Sequence, residues 1–211
     1  MPKKWNLEDS GSDSGVKQEY TTFPVGITRI RVIDEVPVKK FIHWIQDQKR
    51  AVTCPGRGCP ICEIRRRQKA NKEPQTYNMA KRLGMQVINR ETGNREIMEQ
   101  GITFYKDLEA VMEDLADDEQ ELIDADLRVK RRGTGKDDTV YRIDVDKVEP
   151  LSESDKALIA EKVDLEEFFK PHPPEMIQRI IDGEQYDEII GEYMNKGKKE
   201  ESADDEEFEV E

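Results

Sequence analysis

All three cysteines of the 211-residue chain fall within nine positions, in the run Cys54-Pro55-Gly56-Arg57-Gly58-Cys59-Pro60-Ile61-Cys62. An odd, clustered set makes a poor disulfide framework and a good metal or redox cluster, and it fits a reducing compartment. Adding His43 gives the spacing His43-x10-Cys54-x4-Cys59-x2-Cys62. Four nitrogen or sulfur ligands complete a tetrahedral zinc shell with no open position, so such a site is structural and not catalytic. Gly56 and Gly58 let the intervening loop wrap, Pro60 and Ile61 fill the turn between the last two cysteines, and the helix that follows can aim its first N–H groups at the sulfurs. Two other readings exist. The cysteines could be buried thiols, although Cys54 sits in a Pro/Gly-rich loop. Cys59 and Cys62 could form a redox dithiol, which expects a βαβ setting and leaves Cys54 unexplained. His172, between Pro171 and Pro173, reads as a turn residue.

The rest of the chain limits how large a core can surround this cluster. Apolar residues are 35% and charged residues 38%, against usual values of ~45–50% and ~25%. A modest core with solvated extensions is expected, and a large enzyme core is not. No stretch approaches the ~18–20 apolar residues of a membrane span. The start Met1-Pro2-Lys3-Lys4-Trp5 has no apolar region of a secretory signal. The net charge of −13 is unevenly spread: residues 25–106 carry +9, 107–127 carry −10, 128–150 carry +2, and 151–211 carry −13. A basic body with an acidic C-terminal region suggests a polyanion-binding protein, although acids can also serve solubility alone.

Hydrophobic periodicity supplies the elements. Ile30 and Val32 alternate with Arg29 and Arg31 in one strand; Val38 to Ile45 makes a second. Cys62 to Lys72 suits a short basic helix. Arg82 to Asn89 and Arg95 to Glu99 flank a Thr92-Gly93-Asn94 turn. From Phe104, the apolar residues Leu108, Val111, Leu115 and Leu122 recur at helical spacing, and Leu127 to Arg132 and Thr139 to Val145 form a hairpin. The expected class is α+β, mainly β with helices: an OB-type Greek-key barrel, with a split α+β sheet as the competitor. Its expected parts are a flexible arm at 1–19, a body at 20–150 with the zinc insert at 43–72, a helical extension at 151–197, and a disordered acidic tail at 198–211. Ser152 caps the first extension helix with Asp155 in the capping-box position, and Pro174 opens another that Gly183 ends.

Bases and rings interleave through the body. Single-strand binders need both, cations to follow phosphates and flat rings for bases to stack on. The candidate contacts are Arg29, Arg31, Lys39, Lys40, Phe41, Trp44, Arg65, Arg66, Arg67, Tyr77, Lys81, Arg82, Arg90, Tyr105, Lys106, Lys130, Arg131, Arg132, Tyr141 and Arg142. Strand alternation sets Arg29 and Arg31 opposite Ile30 and Val32, and Arg82 and Arg90 opposite Leu83, Met85 and Val87. Each ring could equally be core, Phe41, Tyr77 and Tyr141 above all.

On His43, Trp44, the Cys54-to-Cys62 run and the acidic end, the chain resembles the replicative single-stranded DNA-binding proteins of tailed bacteriophages. The resemblance covers roughly residues 20–150, plus the tail by its charge. It implies an OB body, one structural zinc on His43, Cys54, Cys59 and Cys62, and single strands held in a basic cleft. It also implies roles in replication, recombination and repair, and location in the cytoplasm of an infected bacterial host. The acidic tail at 200–211 corresponds to one that recruits replication and recombination proteins and screens the cleft. The ligand spacing is tighter than in the best-known member, and an arm with only Lys3, Lys4 and Lys17 is a weak version of the arm that drives cooperative binding. The expectation is a non-enzymatic binding protein, monomeric without DNA and not membrane-bound. The alternatives are a zinc-stabilised transcription or translation factor reading duplex DNA or RNA through the helix at 62–72, and an enzyme. Asp144 and Asp146 share a strand face but lack a third carboxylate or a histidine beside them.

Overall fold

The computed structural model describes residues 19–135 and 138–193; the expected N-terminal arm (apart from Glu19) and the acidic tail lie outside the described residues. The chain divides into two compact units. One contains residues 42–79 and 168–193, and the other residues 19–41 and 80–167.

The larger unit is a sheet wrapped on one long helix. Its strands are β1 (Glu19–Tyr20), β2 (Gly26–Val32), β5 (Asn78–Asn89), β6 (Arg95–Gly101), β7 (Ala125–Arg132) and β8 (Val140–Val148), with β3 (Val38–Ile45) and β4 (Arg50–Thr53) between β2 and β5 in sequence. The order is β1-β6-β5-β2-β7-β8; off this path β3 pairs with β5 and β4 with β3. The α+β class is therefore present. The described strands do not close a barrel, because β1 takes the free edge of β6 in parallel and the path ends at β8.

Alternation decides which face is core. Thr28 and Ile30 of β2 stand opposite Val129 and Leu127 of β7, which pair with Ile143 and Val145 of β8, and Val32 stands opposite Val87 of β5. These residues and Leu83, Met85 and Val87 of β5 bury against helix α2 (Ile102–Asp117), which contributes Phe104, Leu108, Val111 and Leu115. α2 stops at Asp117, so Leu122 falls in a 3-10 turn (Leu122–Asp124) and not on the helix.

A buried ion network fastens the next helix, α3 (Glu153–Ala160). Ser152 and Asp155 form the expected capping box. The Asp155 carboxylate is bidentate with Arg90, at 2.6 and 3.1 Å, and faces Arg31 at 3.6 Å. Asp126 accepts from both Arg31 (2.7 Å) and Arg90 (2.9 Å). Arg90 holds the Asp155 carboxyl down at about 2, against a weaker upward push from burial.

The smaller unit has the β3–β4 hairpin, paired from Ile42↔Thr53 to Ile45↔Arg50. It also has α1 (Pro60–Ala70), α5 (Pro174–Ile181) and a helical run at 186–193. A short helix α4 (Leu165–Phe168) falls across the unit boundary. The apolar core of this unit is small: Ile45, Val52, Ile61, Met176, Ile177, Ile180 and Ile189, with Cys59 among them. Sequence reading treated 151–197 as one extension. Residues 151–167 belong to the sheet unit, and 168–193 complete the core around the cysteines.

Candidate metal centre and basic surface

His43, Cys54, Cys59 and Cys62 converge, their ligand atoms all within 4.8 Å of one another. The strand β3 supplies His43, the residues after β4 supply Cys54, and the start of α1 supplies the other two. Pro60 at the first helical position sets the turn, and Cys59 stands at the N-cap without a side-chain cap. Gly56 and Gly58 sit at φ +77° and +78°, left-handed conformations that favour glycine, and the Gly56 N–H donates to the Cys54 sulfur at 3.3 Å.

The separations match a tetrahedral ion. Bond lengths of about 2.3 Å to sulfur and about 2.0 Å to nitrogen put tetrahedral ligand atoms roughly 3.8 Å apart for two sulfurs and roughly 3.5 Å for sulfur and nitrogen. Cys54 and Cys62 sulfurs are 3.6 Å apart, and the His43 Nε2 lies 3.5 Å from Cys59 and 3.3 Å from Cys62. A disulfide needs about 2.05 Å, and the cysteines are free. The group can hold a metal ion such as zinc.

Electrostatics agree with that chemistry. Burial, then the Arg65 charge, depress the His43 pKa, while the Asn78 backbone acts in the opposite sense. This shift favours the neutral imidazole that a ligand needs, and its Nε2 faces the sulfurs. Burial pushes the Cys59 thiol up despite the N–H of Cys62, and burial with the neighbouring thiols pushes Cys62 to about 12. Cys59 and Cys62 therefore favour their protonated forms without a cation, so a metal must displace protons to bind there.

His172 is more than a turn residue. Its Nδ1 accepts from the Thr53 N–H at 2.9 Å, its own N–H donates to the Thr53 carbonyl at 3.1 Å, and its Nε2 meets the Tyr186 hydroxyl at 3.1 Å. It ties the C-terminal segment to the residue before Cys54. The pattern Pro-His-Pro carried no signal of this, because the partner lies 119 positions away.

The candidate contact residues separate into three groups. Arg31 and Tyr105 are corrected: Arg31 is 0% exposed inside the ion network, and Tyr105 is buried on α2 with its hydroxyl on the Met98 carbonyl. Alternation did place Arg31 opposite the main core, but α3 covers that end of the sheet. Others are held by the protein. Arg90 serves Asp126 and Asp155; Arg131 donates to the Phe23 carbonyl; Tyr141 packs edge-on against Phe23 and Phe104. Arg65 donates to the Tyr77 carbonyl, Tyr77 packs on the smaller core, Lys40 pairs with Glu99, and Trp44 donates to Gln46. Lys81, Arg82 and Lys130 are half-buried. Arg29, Lys39, Phe41, Arg66, Arg67, Lys106, Arg132 and Arg142 are exposed. Sequence reading missed Arg128, which stands beside Arg29 across β2 and β7.

Comparison with known protein families finds no family model that matches this chain, and comparison with curated proteins finds no matching sequence. Among the described residues, no helix is long and apolar enough to cross a membrane.

Proposed function

We propose that this chain is a non-enzymatic single-stranded DNA-binding protein of the replication type, with one structural zinc on His43, Cys54, Cys59 and Cys62. The sheet order carries this reading. β2, β5, β6, β7 and β8 run β6-β5-β2-β7-β8, and α2 joins β6 to β7. That order supports reading the sheet as a partly open five-stranded Greek key of the OB type, whose first and last inter-strand loops border bound oligonucleotide. In this chain the first loop is the His/Cys insert, and the last lies between Arg132 and Val140. The insert then has a purpose that fits its chemistry, since a closed N/S site folds a loop and catalyses nothing.

Single strands are held by cations on phosphates and by rings on bases; Lys39 and the 39%-exposed Phe41, two apart on β3, are one such pair. Coating single strands in this way serves phage replication, recombination and repair in the host cytoplasm. The eight acids of residues 200–211 recruit the partner proteins and compete with phosphates from high effective concentration. Elemental analysis of the purified chain should return one zinc per chain. Fluorescence anisotropy with a labelled oligothymidine, a duplex of equal length and an RNA, at two salt concentrations, tests the binding. Tighter binding to the duplex would replace this reading with that of a duplex-reading factor.

A further inference from the structure

The face of the sheet that the protein leaves open differs from the one an OB module ordinarily offers. In such modules oligonucleotides lie across strands two and three, of which β5 is the first. On β5 the positions opposite the core are already occupied. Gln86, 1% exposed, exchanges hydrogen bonds with the Val163 backbone at 3.0 and 2.9 Å. Its own N–H goes to Asp34, which also binds Lys162 at 2.8 Å. Residues 162–163 therefore lie as a strap on that face.

The outward positions of β2, β7 and β8 are different. Register aligns Ile27, Lys130 and Arg142 in one row, Arg29, Arg128 and Asp144 in the next, and Arg132 beside Val140. Rows two residues apart along a strand are separated by about 7 Å and neighbouring strands by about 4.8 Å. Five cations thus stand on a single patch. Its carboxylates are Asp144, paired with Arg142 at 2.9 Å, Asp146, paired with Arg29 and Arg128 at 3.1 and 3.3 Å, and Glu91, 3.8 Å from Arg29. Lys130 and Arg132 have no ion pair among the described residues. The flanking side chains Ile27 and Val140 are 48% and 62% exposed.

We infer that this outward face of β2, β7 and β8 is the phosphate track for the single strand, an assignment that rests on the function proposed above. It carries no ring, so it grips the sugar-phosphate backbone and reads no bases. Asp144 and Asp146 hold the arginines in place and oppose the strand, so affinity there is a balance the protein sets.

The test uses the full-length, metal-bound chain and a labelled oligothymidine, with anisotropy read over a salt series. Three proteins are compared with the wild type: Lys130→Ala/Arg132→Ala/Arg142→Ala, Asp144→Asn, and an α1 control, Arg66→Ala/Arg67→Ala. The triple variant should bind roughly 10–100-fold more weakly at low salt, and its salt slope should fall by about 2, as expected for three lost phosphate contacts. Asp144→Asn should bind several-fold more tightly, a gain that no folding defect produces. If both variants bind as the wild type does, or the α1 control accounts for the loss, the track is elsewhere. If the wild type itself fails to bind the oligothymidine, the proposed function falls, and the track with it.

Discussion

The two units of this chain solve the same problem with different materials. The sheet unit buries a broad apolar cluster between its strands and α2, and spends its polar residues on a network in which two arginines pair with two aspartates. The unit of residues 42–79 and 168–193 has half as many buried apolar side chains, eight against sixteen, and one of the eight is the ligand Cys59. Domains with so little core need a staple, and a metal held by the four converging side chains would be one. The contrast shows where stability should respond to chemistry and where to packing.

Removing the metal should draw the contrast most sharply. Structural zinc contributes on the order of 10 kcal/mol in small domains. A strong chelator at neutral pH should therefore abolish amide protection in 42–79 and 168–193 and leave that of β2 and β7 standing. Uniform loss, or none, would merge the two units into one cooperative body.

Asp126→Ala attacks the other side. It leaves Arg31 buried opposite an empty position, and breaking such a pair costs about 3–5 kcal/mol. The loss should show in urea unfolding of the sheet unit while metal affinity stays as it was. A loss below about 1 kcal/mol would mean that water replaces the carboxylate.

The structure also separates what a sequence can say from what it cannot. The ligand spacing, the Ser152 cap, the Thr92-Gly93-Asn94 turn and the strands β2, β3 and β7 follow from local pattern, and each is present. β4 was missed because four residues, Arg50–Thr53, are too few to show alternation. Arg31 was assigned to the surface because period two tells the two faces of a strand apart and not whether a later helix will cover one of them. The completion of the insert by Met176, Ile177 and Ile189 depends on contacts across more than a hundred positions, for which periodicity has no signal.

Acid should weaken the sheet unit in a defined window. Arg90 holds the Asp155 carboxyl at about 2, below its ordinary 3.8, so its contribution is complete above pH 4 and disappears as pH falls through 2. A difference of nearly two pKa values corresponds to about 2 kcal/mol. Asp155→Asn should be less stable than the wild type by about that amount at pH 6, and the gap should close as pH falls below 2. Parallel curves at all pH values would remove Asp155 from the account.

The smallest effect belongs to Tyr186→Phe, which deletes the hydroxyl on His172. One hydrogen bond lost should cost about 1 kcal/mol, read as faster exchange at Thr53 with β2 unchanged.

The reach of the His172 tie sets a timetable. On a ribosome, Cys62 emerges about 110 residues before Met176, an interval of roughly 5–25 s at ordinary synthesis rates of ~5–20 residues per second. For that time the thiols exist without the helices that bury them. A nascent chain stalled near residue 120 should therefore have alkylation-resistant cysteines only when metal is supplied, which makes capture of the ion the first committed event in the life of this half of the molecule.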